Sequence, residues 1–417
     1  MTVLILNRGP LTKRRYDEWL ADHPGPLLLL TSRQSLATYG DVLPEAGYAH
    51  AEAVDFEVPG EVEERVLDLA RTHRIEYLVA TQESDLQRAG ALRDRLGLPG
   101  QSEQSAIAFR NKLVMKRLAR RAGIAVAEHA PVEHAQDVRD FAEQHGFPLV
   151  LKVRDGSSSV GQHILHSAAE LDAHLAAAGE IEPGRLMVEA FVAGSMVHID
   201  GMVLDGRVAA AWPSRYLYQL GSFADHREPR RDVALDRDDP LTGRLLAFLD
   251  QLLAALPTPA DTTFHAEVFH TPDDRLVLCE IASRNGGALI KGVLHALFDV
   301  DFPLAWIRAC AGLPVPVPRG ADPLVPRQLA GQLLILKRPG TVRTLPEKAP
   351  FDWVTLYETY AEPGQRIAAA ASSGDFLAAM VVSGPDRTAV EQRLAEAARW
   401  FEDELDLDPT PAEEAHA

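Results

Sequence analysis

The stretch "LCEIASRNGG", residues 278–287, ends an apolar, strand-like run in an acid, Glu280, and follows it with Arg284, Asn285, Gly286 and Gly287. Thirteen residues before Glu280, the run "FHAEVFH" at 264–270 carries a second acid, Glu267, and a polar turn at 271–275 separates the two runs. Apolar runs joined by a short polar turn predict a β-hairpin. A turn centred on Asp273 and Asp274 sets Glu267 directly opposite Glu280. Period-two alternation then predicts one face of His265, Glu267, Phe269, Leu278, Glu280 and Ala282, and a second, core face of Phe264, Ala266, Val268, Val277, Cys279 and Ile281.

Opposed like charges weaken a sheet, and at about 5 Å with an effective dielectric near 20 the repulsion is about 3 kcal/mol. Positive charge between the acids would offset it. An exposed hairpin face, a nearby Arg or Lys, or a different register would also relieve the conflict. The sharper reading is a hard divalent cation held by two carboxylates. The lack of a His/Cys ligand set favours Mg²⁺ over Zn²⁺, and Mg²⁺ on one or two carboxylates usually accompanies phosphates.

The 417 residues can bury a large core and predict two to four lobes. Sixty acids against 42 basic residues give a formal charge of −18, which argues against a broad nucleic-acid footprint while leaving room for a local basic pocket. Two cysteines, Cys279 and Cys310, make neither a disulfide framework nor a CxxC site and fit a reducing cytoplasm. "MTVLILNRGP" is no secretion leader, and "LLLL" at 27–30 is too short to span a bilayer, so neither secretion nor a membrane span is expected.

Residues 1–105 alternate short apolar runs (3–6, 27–30, 77–80) with helix-like segments (61–73, 84–96), the pattern of a parallel α/β lobe. No GxGxxG follows the first strand. Residues 106–124 read as one helix stopping at Gly123, with Lys112 and Lys116 at i and i+4. "FPLVLKVRDGSSSVGQHIL", 147–165, reads as a strand carrying Lys152, a loop of Gly156, Ser157, Ser158, Ser159 and Gly161, and a returning strand. Such a loop offers backbone N–H groups and hydroxyls to an anion; it is not a Walker A loop, and a surface hairpin is the plain alternative. These elements suggest lobes at 106–195 and 196–313, linked through Ala193 and Gly194. The prolines between 314 and 326 mark a linker, followed by a small α+β piece at 325–408 and a frayed tail at 409–417.

Taken in order, "NKLVMKRLARRAGI", the strand lysine with its Ser/Gly loop, "VEAFVAGSMVHIDG", "HAEVF" and "CEIASRNGG" resemble the ATP-grasp superfamily, and within it the carboxylate-amine ligases, L-amino acid ligases among them. Each motif is loose and the ordered set is specific. The resemblance implies an ATP-grasp fold, α/β and α+β, with an N-terminal parallel lobe and a C-terminal α+β extension. It implies ATP-phosphate lysines at Lys112 and Lys152, a phosphate lid at 156–161, and an adenine-binding strand through Glu189, Phe191 and Val192. It implies magnesium carboxylates at Glu267 and Glu280, for one or two ions, with Mn²⁺ as a substitute. Arg284 matches the arginine that stabilises the transferring phosphate, and His265 a histidine near the metal acids. Two positions depart from the pattern: Met196 replaces an acid that often holds ribose, and Ala282 replaces the usual asparagine ligand.

The chemistry so implied is ADP-forming: ATP phosphorylates a small carboxylic acid and an amine attacks the acyl phosphate. Arg215 and Tyr216, with Trp212 and Tyr218 nearby, are candidates for a substrate pocket, and Gly286 and Gly287 for close backbone approach to an acyl oxygen. A surface loop and a simple turn are the plain alternatives. Competing functions are a biotin-carboxylase-like, bicarbonate-activating enzyme and an ATP-binding regulator without turnover. The resemblance admits a homodimer.

Overall fold

The computed structural model describes residues 1–156, 160–218, 229–318, 322–370, 372 and 374–409. The first lobe runs β1 (Thr2–Asn7), α1 (Tyr16–Trp19), β2 (Leu27–Ser32), α2 (Arg33–Tyr39), β3 (His50–Val54), α3 (Glu61–Thr72), β4 (Ile75–Ala80) and α4 (Glu83–Leu96). Its strands are all parallel in the order β3-β2-β1-β4, as the alternating sequence pattern predicts. Every residue of β1 and β2 is buried. Covering both faces of a parallel sheet demands the unbroken apolar runs seen there. The edge strand β3, HAEAV, is only half-buried, and its mixed composition hides it in the sequence.

The expected single helix over 106–124 is two: α5 (Glu103–Ala108) and α6 (Lys112–Arg121). The Asn111 side chain accepts from the Leu113 and Val114 N–H groups, so it caps a new helix and breaks the old one. The second lobe follows with β5 (His129–Val132), α7 (Ala135–His145), β6 (Leu149–Val153), β7 (His163–Leu165), α8 (Ala168–Ala178) and β8 (Leu186–Ala190). Its antiparallel sheet has the order β5-β8-β6-β7. Leu149, Leu151 and Val188 pack with residues of α7 and α8. Alternation therefore turns Lys152 and Glu189 to the other face. The Ser157 to Ser159 part of the expected phosphate loop lies outside the described residues.

The remainder contains β9 (Ser195–Leu204), β10 (Arg207–Tyr216), β11 (Arg230–Ala234), α9 (Pro240–Ala255), β12 (Thr262–His270), β13 (Leu276–Ala282), α10 (Ile290–Phe298) and α11 (Phe302–Cys310). It continues through β14 (Leu329–Leu336), β15 (Gly340–Thr344), β16 (Val354–Thr359), β17 (Arg366–Ile367), β18 (Phe376–Gly384), α12 (Arg387–Glu404) and β19 (Asp406–Pro409). One eight-stranded sheet runs β13-β12-β9-β10-β11-β14-β18-β16. Three strands of the expected separate C-terminal piece thus extend the sheet that holds the acids, and one apolar core joins Met202 and Trp212 to Leu333, Val381 and Phe401. Pro409, expected in the frayed tail, belongs to β19 and pairs with Gly340 of β15. Residues 410–417 lie outside the described residues.

The hairpin forms with its turn at 271–275, and Glu267 pairs with Glu280. Beyond that pair the register shifts, so Val268 faces Leu278 and Phe269 faces Val277. Cys279 is the extra residue of a bulge. The shift corrects the expected faces: Leu278, expected beside the acids, is fully buried in the opposite core with Val268 and Ile281. Trp212, expected near a substrate pocket, is likewise a core residue whose indole N–H donates to the Leu235 carbonyl.

Candidate active site

Three lysines meet where α6, the second lobe and the hairpin converge. The Lys112 ammonium donates to the Gly156 carbonyl at 2.6 Å and ion-pairs with Glu280 Oε2 at 3.0 Å. One side chain therefore touches both the glycine/serine loop and the acid-bearing strand. Lys116, one turn further along α6, is fully buried; its Nζ lies 3.1 Å from Glu189 Oε2 and donates to the Leu278 carbonyl. Lys152 donates to the other oxygen of Glu189. Burial alone would raise the Glu189 carboxyl, but Lys116 and Lys152 hold it down at about 2. Burial likewise opposes the charge on Lys152, and Glu189 more than reverses that, so the ammonium pKa rises.

Glu189 was expected in the adenine-binding strand; here its side chain is the shared counter-ion of two buried ammonium groups. The backbone position itself leads to Phe191, which is 42% exposed at the link between the sheets, with the half-buried Val192 beside it. Gly161 closes the loop in the left-handed region at φ +70°.

The acids of the hairpin each have a separate positive neighbour: Lys112 on Glu280, and His265 Nε2 at 3.6 Å from Glu267 Oε1. Tyr216 donates its hydroxyl proton to Glu267 at 3.1 Å. This pairing relieves much of the repulsion expected between the carboxylates. The set fits a hard cation by its chemistry, because the nearby Cys279 thiol is pushed up to about 12 by burial and offers no thiolate.

Behind Glu267 runs a buried chain that the sequence reading missed. Asp200 bonds His198 Nδ1 with one oxygen and His265 Nδ1, at 2.8 Å, with the other. His198 Nε2 faces Asp232 Oδ1 at 3.7 Å, and Asp232 accepts from the Gln332 amide of β14. Burial would lower both imidazoles; Asp200 first, then Asp232 for His198 and Glu267 for His265, raise them to about 10 and about 9. Burial would raise the Asp200 carboxyl and the two histidines lower it. His198, Asp200 and His265 have donor atoms close enough together for a metal ion, yet they already satisfy one another through Asp200. The sequence signal was available: "VHIDG" places two polar residues two apart in an otherwise apolar strand.

Arg284 Nε donates to Glu83 Oε2 of α4 at 2.8 Å, and Arg110 stands 3.7 Å from the same carboxylate. Gly286, Gly287 and Arg284 line a cleft of about 490 Å³ with Lys13, Arg14 and Lys291. Only Gly286 is sterically required: a Cβ there would lie 2.7 Å from Asp200 Oδ1, whereas nothing lies within 4 Å of one at Gly287. Arg215, expected at the substrate site beside Tyr216, pairs with Val197 and points to the opposite face of the sheet from Glu267. Met196 and Ala282 are buried.

An N-terminal parallel lobe, a small antiparallel lobe and a large sheet meeting over paired acids and lysines define the ATP-grasp fold. An L-amino acid ligase from Bacillus licheniformis superposes over 98% of this chain and 99% of its own, with a TM-score of 0.77 at 15% identity. A carboxyaminoimidazole ribonucleotide synthase from Aspergillus clavatus, solved with ATP, matches over 96% of this chain and 98% of its own, with a TM-score of 0.68 at 20% identity. In sequence, the family model for the D-ala D-ala ligase C-terminus matches residues 118–228. An L-arginine-specific L-amino acid ligase of Bacillus subtilis is 25% identical over 241 residues, 57% of this chain and 58% of the relative. The match therefore spans less than two thirds of that relative. No helix among the described residues is long and apolar enough to cross a membrane.

Proposed function

We propose that the chain is an ADP-forming carboxylate-amine ligase that joins an amino acid or similar small acid to an amine. The observation that carries this reading is Lys112, whose ammonium bonds the loop at Gly156 and the acid Glu280 together. Phosphate delivery and carboxylate activation belong together only if loop and acid address one ligand. The likeness to ligases in fold and sequence supports the same reading.

In this mechanism the carboxylate oxygen attacks the γ-phosphorus of ATP, the bond to the ADP oxygen breaks, and an acyl phosphate forms. The amine nitrogen then attacks the acyl carbon, the carbon–oxygen bond to phosphate breaks, and the nitrogen gives its proton to water. A carboxylate is a poor acyl donor, so the work lies in positioning and in charge placed on developing anions. Lys112 and Lys152 supply charge to the phosphates, and Phe191 and Val192 flank the adenine. Arg284, fixed by Glu83, supplies charge to the transferring group. Glu267 and Glu280 would hold magnesium, which neutralises phosphate oxygens when bound. His265 and Tyr216 fix the Glu267 carboxylate, and the soluble substrates are a small acid and an amine.

The test is ADP release from Mg–ATP over a panel of amino acids and small carboxylates, alone and with amines, with products read by mass spectrometry. Release that requires both acid and amine, yields an adduct lighter by one water, and falls at least 100-fold (about 2.7 kcal/mol) in Glu280→Gln is the expected result. Release stimulated by bicarbonate alone would favour the carboxylase reading. Full activity in Glu280→Gln would remove the metal assignment.

A further inference from the structure

Resting on the ligase reading, a second inference concerns the cleft beside Arg284. It opens between the N-terminal lobe and the 284–288 turn, with a volume of about 490 Å³. Its lining is basic: Lys13, Arg14, Lys291 and Arg284, against a single acid, Glu83. Glu83 is already committed to Arg284 at 2.8 Å and Arg110 at 3.7 Å. Among the described residues, Lys13, Arg14 and Lys291 have no carboxylate within ion-pair distance. Arg14 turns instead to neutral oxygens, 3.4 Å from Thr81 Oγ1 and from the Tyr16 hydroxyl.

On a chain of formal charge −18, three cations without a carboxylate partner line this one cleft. Gathering like charges costs free energy that an incoming anion offsets. Asn285 also lines the cleft, and its Oδ1 is buried without a hydrogen-bond partner. Trp19, Trp306 and Ile307 add apolar wall.

We propose that this cleft binds a non-reacting carboxylate carried by a substrate, with Lys13, Arg14 and Lys291 as its counter-charges, and that it disfavours a cationic side chain. The same carboxylate has two chemical sources: a second acid group on the acyl donor, or the free carboxylate of an amino acid serving as the amine. A relative named for arginine specificity would then differ from this chain in the charge its pocket selects.

The experiment compares matched pairs in the ligation assay. Donors are glutamate against glutamine and succinate against succinamate; amines are an amino acid against its amide; arginine is included as donor and amine. Wild type is compared with Lys13→Gln, Arg14→Gln and Lys291→Gln, singly and together. The expected result is preference for the charged member of one pair, with KM for that member rising about tenfold for each cation removed. KM for ATP and kcat with the neutral member should hold. The pair that responds identifies which substrate carries the carboxylate. Equal use of charged and neutral members, or unchanged KM in the triple variant, overturns the proposal.

Binding separates its failure from that of the ligase reading. Trp19 and Trp306 lie in the cleft wall, so carboxylate titrations are followed by tryptophan fluorescence without ATP. Saturable quenching by glutamate or succinate that the triple variant loses supports the cleft even if no acid and amine pair releases ADP. No saturable quenching in wild type by any of these carboxylates, or quenching unchanged in the triple variant, overturns it.

Discussion

His198 is a fully buried imidazole that touches carboxylates on both sides, Asp200 at Nδ1 and Asp232 across 3.7 Å at Nε2. Its folded pKa is raised to about 10 from the ordinary imidazole value of 6.5, despite burial that works in the other direction. The sign follows from linkage: a raised pKa contributes stability that is whole below the unfolded value and disappears as pH climbs to the folded one. Metal-free protein should therefore lose denaturant resistance steadily between pH 6.5 and about 10, with a slope approaching about 1.4 kcal/mol per pH unit for this one proton. Asp200→Asn should be less stable at pH 7 and show a shallower decline. Denaturant midpoints measured in EDTA across that range decide it; a flat wild-type profile would show that the imidazole is neutral. At this scale the sequence was legible in the pairing of Glu267 with Glu280, which alternation about the turn sets opposite each other. It was not legible for Glu189, because a carboxylate in an apolar strand says nothing of which distant ammonium groups will share it.

The hairpin shows what an element adds. Its turn, its pairing of Glu267 with Glu280 and its acid-bearing face all follow from alternation, yet the bulge at Cys279 does not, since alternation carries no mark for one extra residue. The consequence is local: the acids stay on their predicted face while Leu278 is turned into the core. Likewise the break before Lys112 rests on one Asn111 cap inside a helical pattern, and β10 hides within a segment whose aromatic and basic residues resemble a loop. Gly286 presses against Asp200 Oδ1 and Ile290, both within 2.7 Å of any added Cβ, while Gly287 faces open space. Gly286→Ala should cost about 1–3 kcal/mol of stability and reduce turnover by displacing Asp200, the partner of His265. Gly287→Ala should leave both near wild type. Thermal unfolding and ADP release on the two variants, side by side, check the claim; equal effects would mean that the turn tolerates a side chain and that the contact with Asp200 is not tight.

Across the whole molecule, the proposed catalytic arginine is held by a part of the chain 201 residues away: Arg284 after β13 bonds Glu83 at the start of α4. The N-terminal lobe therefore helps build the site, and the C-terminal strand β14 reaches the same region through Gln332, which donates to Asp232 and accepts from the Leu289 N–H. The sequence revealed the parallel N-terminal sheet because its apolar runs alternate with helical segments; it could not show this joint, since an ion pair between distant segments leaves no periodic trace. Glu83 lies close to two guanidinium groups, and burial, which would raise its pKa, is outweighed by Arg284 and Arg110, so it remains charged at neutral pH. Glu83→Gln keeps the shape and removes the charge that aims Arg284. If Glu83 acts by positioning, kcat should fall about tenfold, since this removes one charge-assisted hydrogen bond of about 1.4 kcal/mol. KM for ATP should change little, because the lysines at the phosphate loop are untouched, and Glu83→Asp should recover part of the loss. A merely structural joint would instead lower stability and raise every KM together. Steady-state kinetics of the two variants, with unfolding midpoints measured on the same preparations, separate these outcomes; unchanged kcat in Glu83→Gln would show that Arg284 needs no support from the N-terminal lobe.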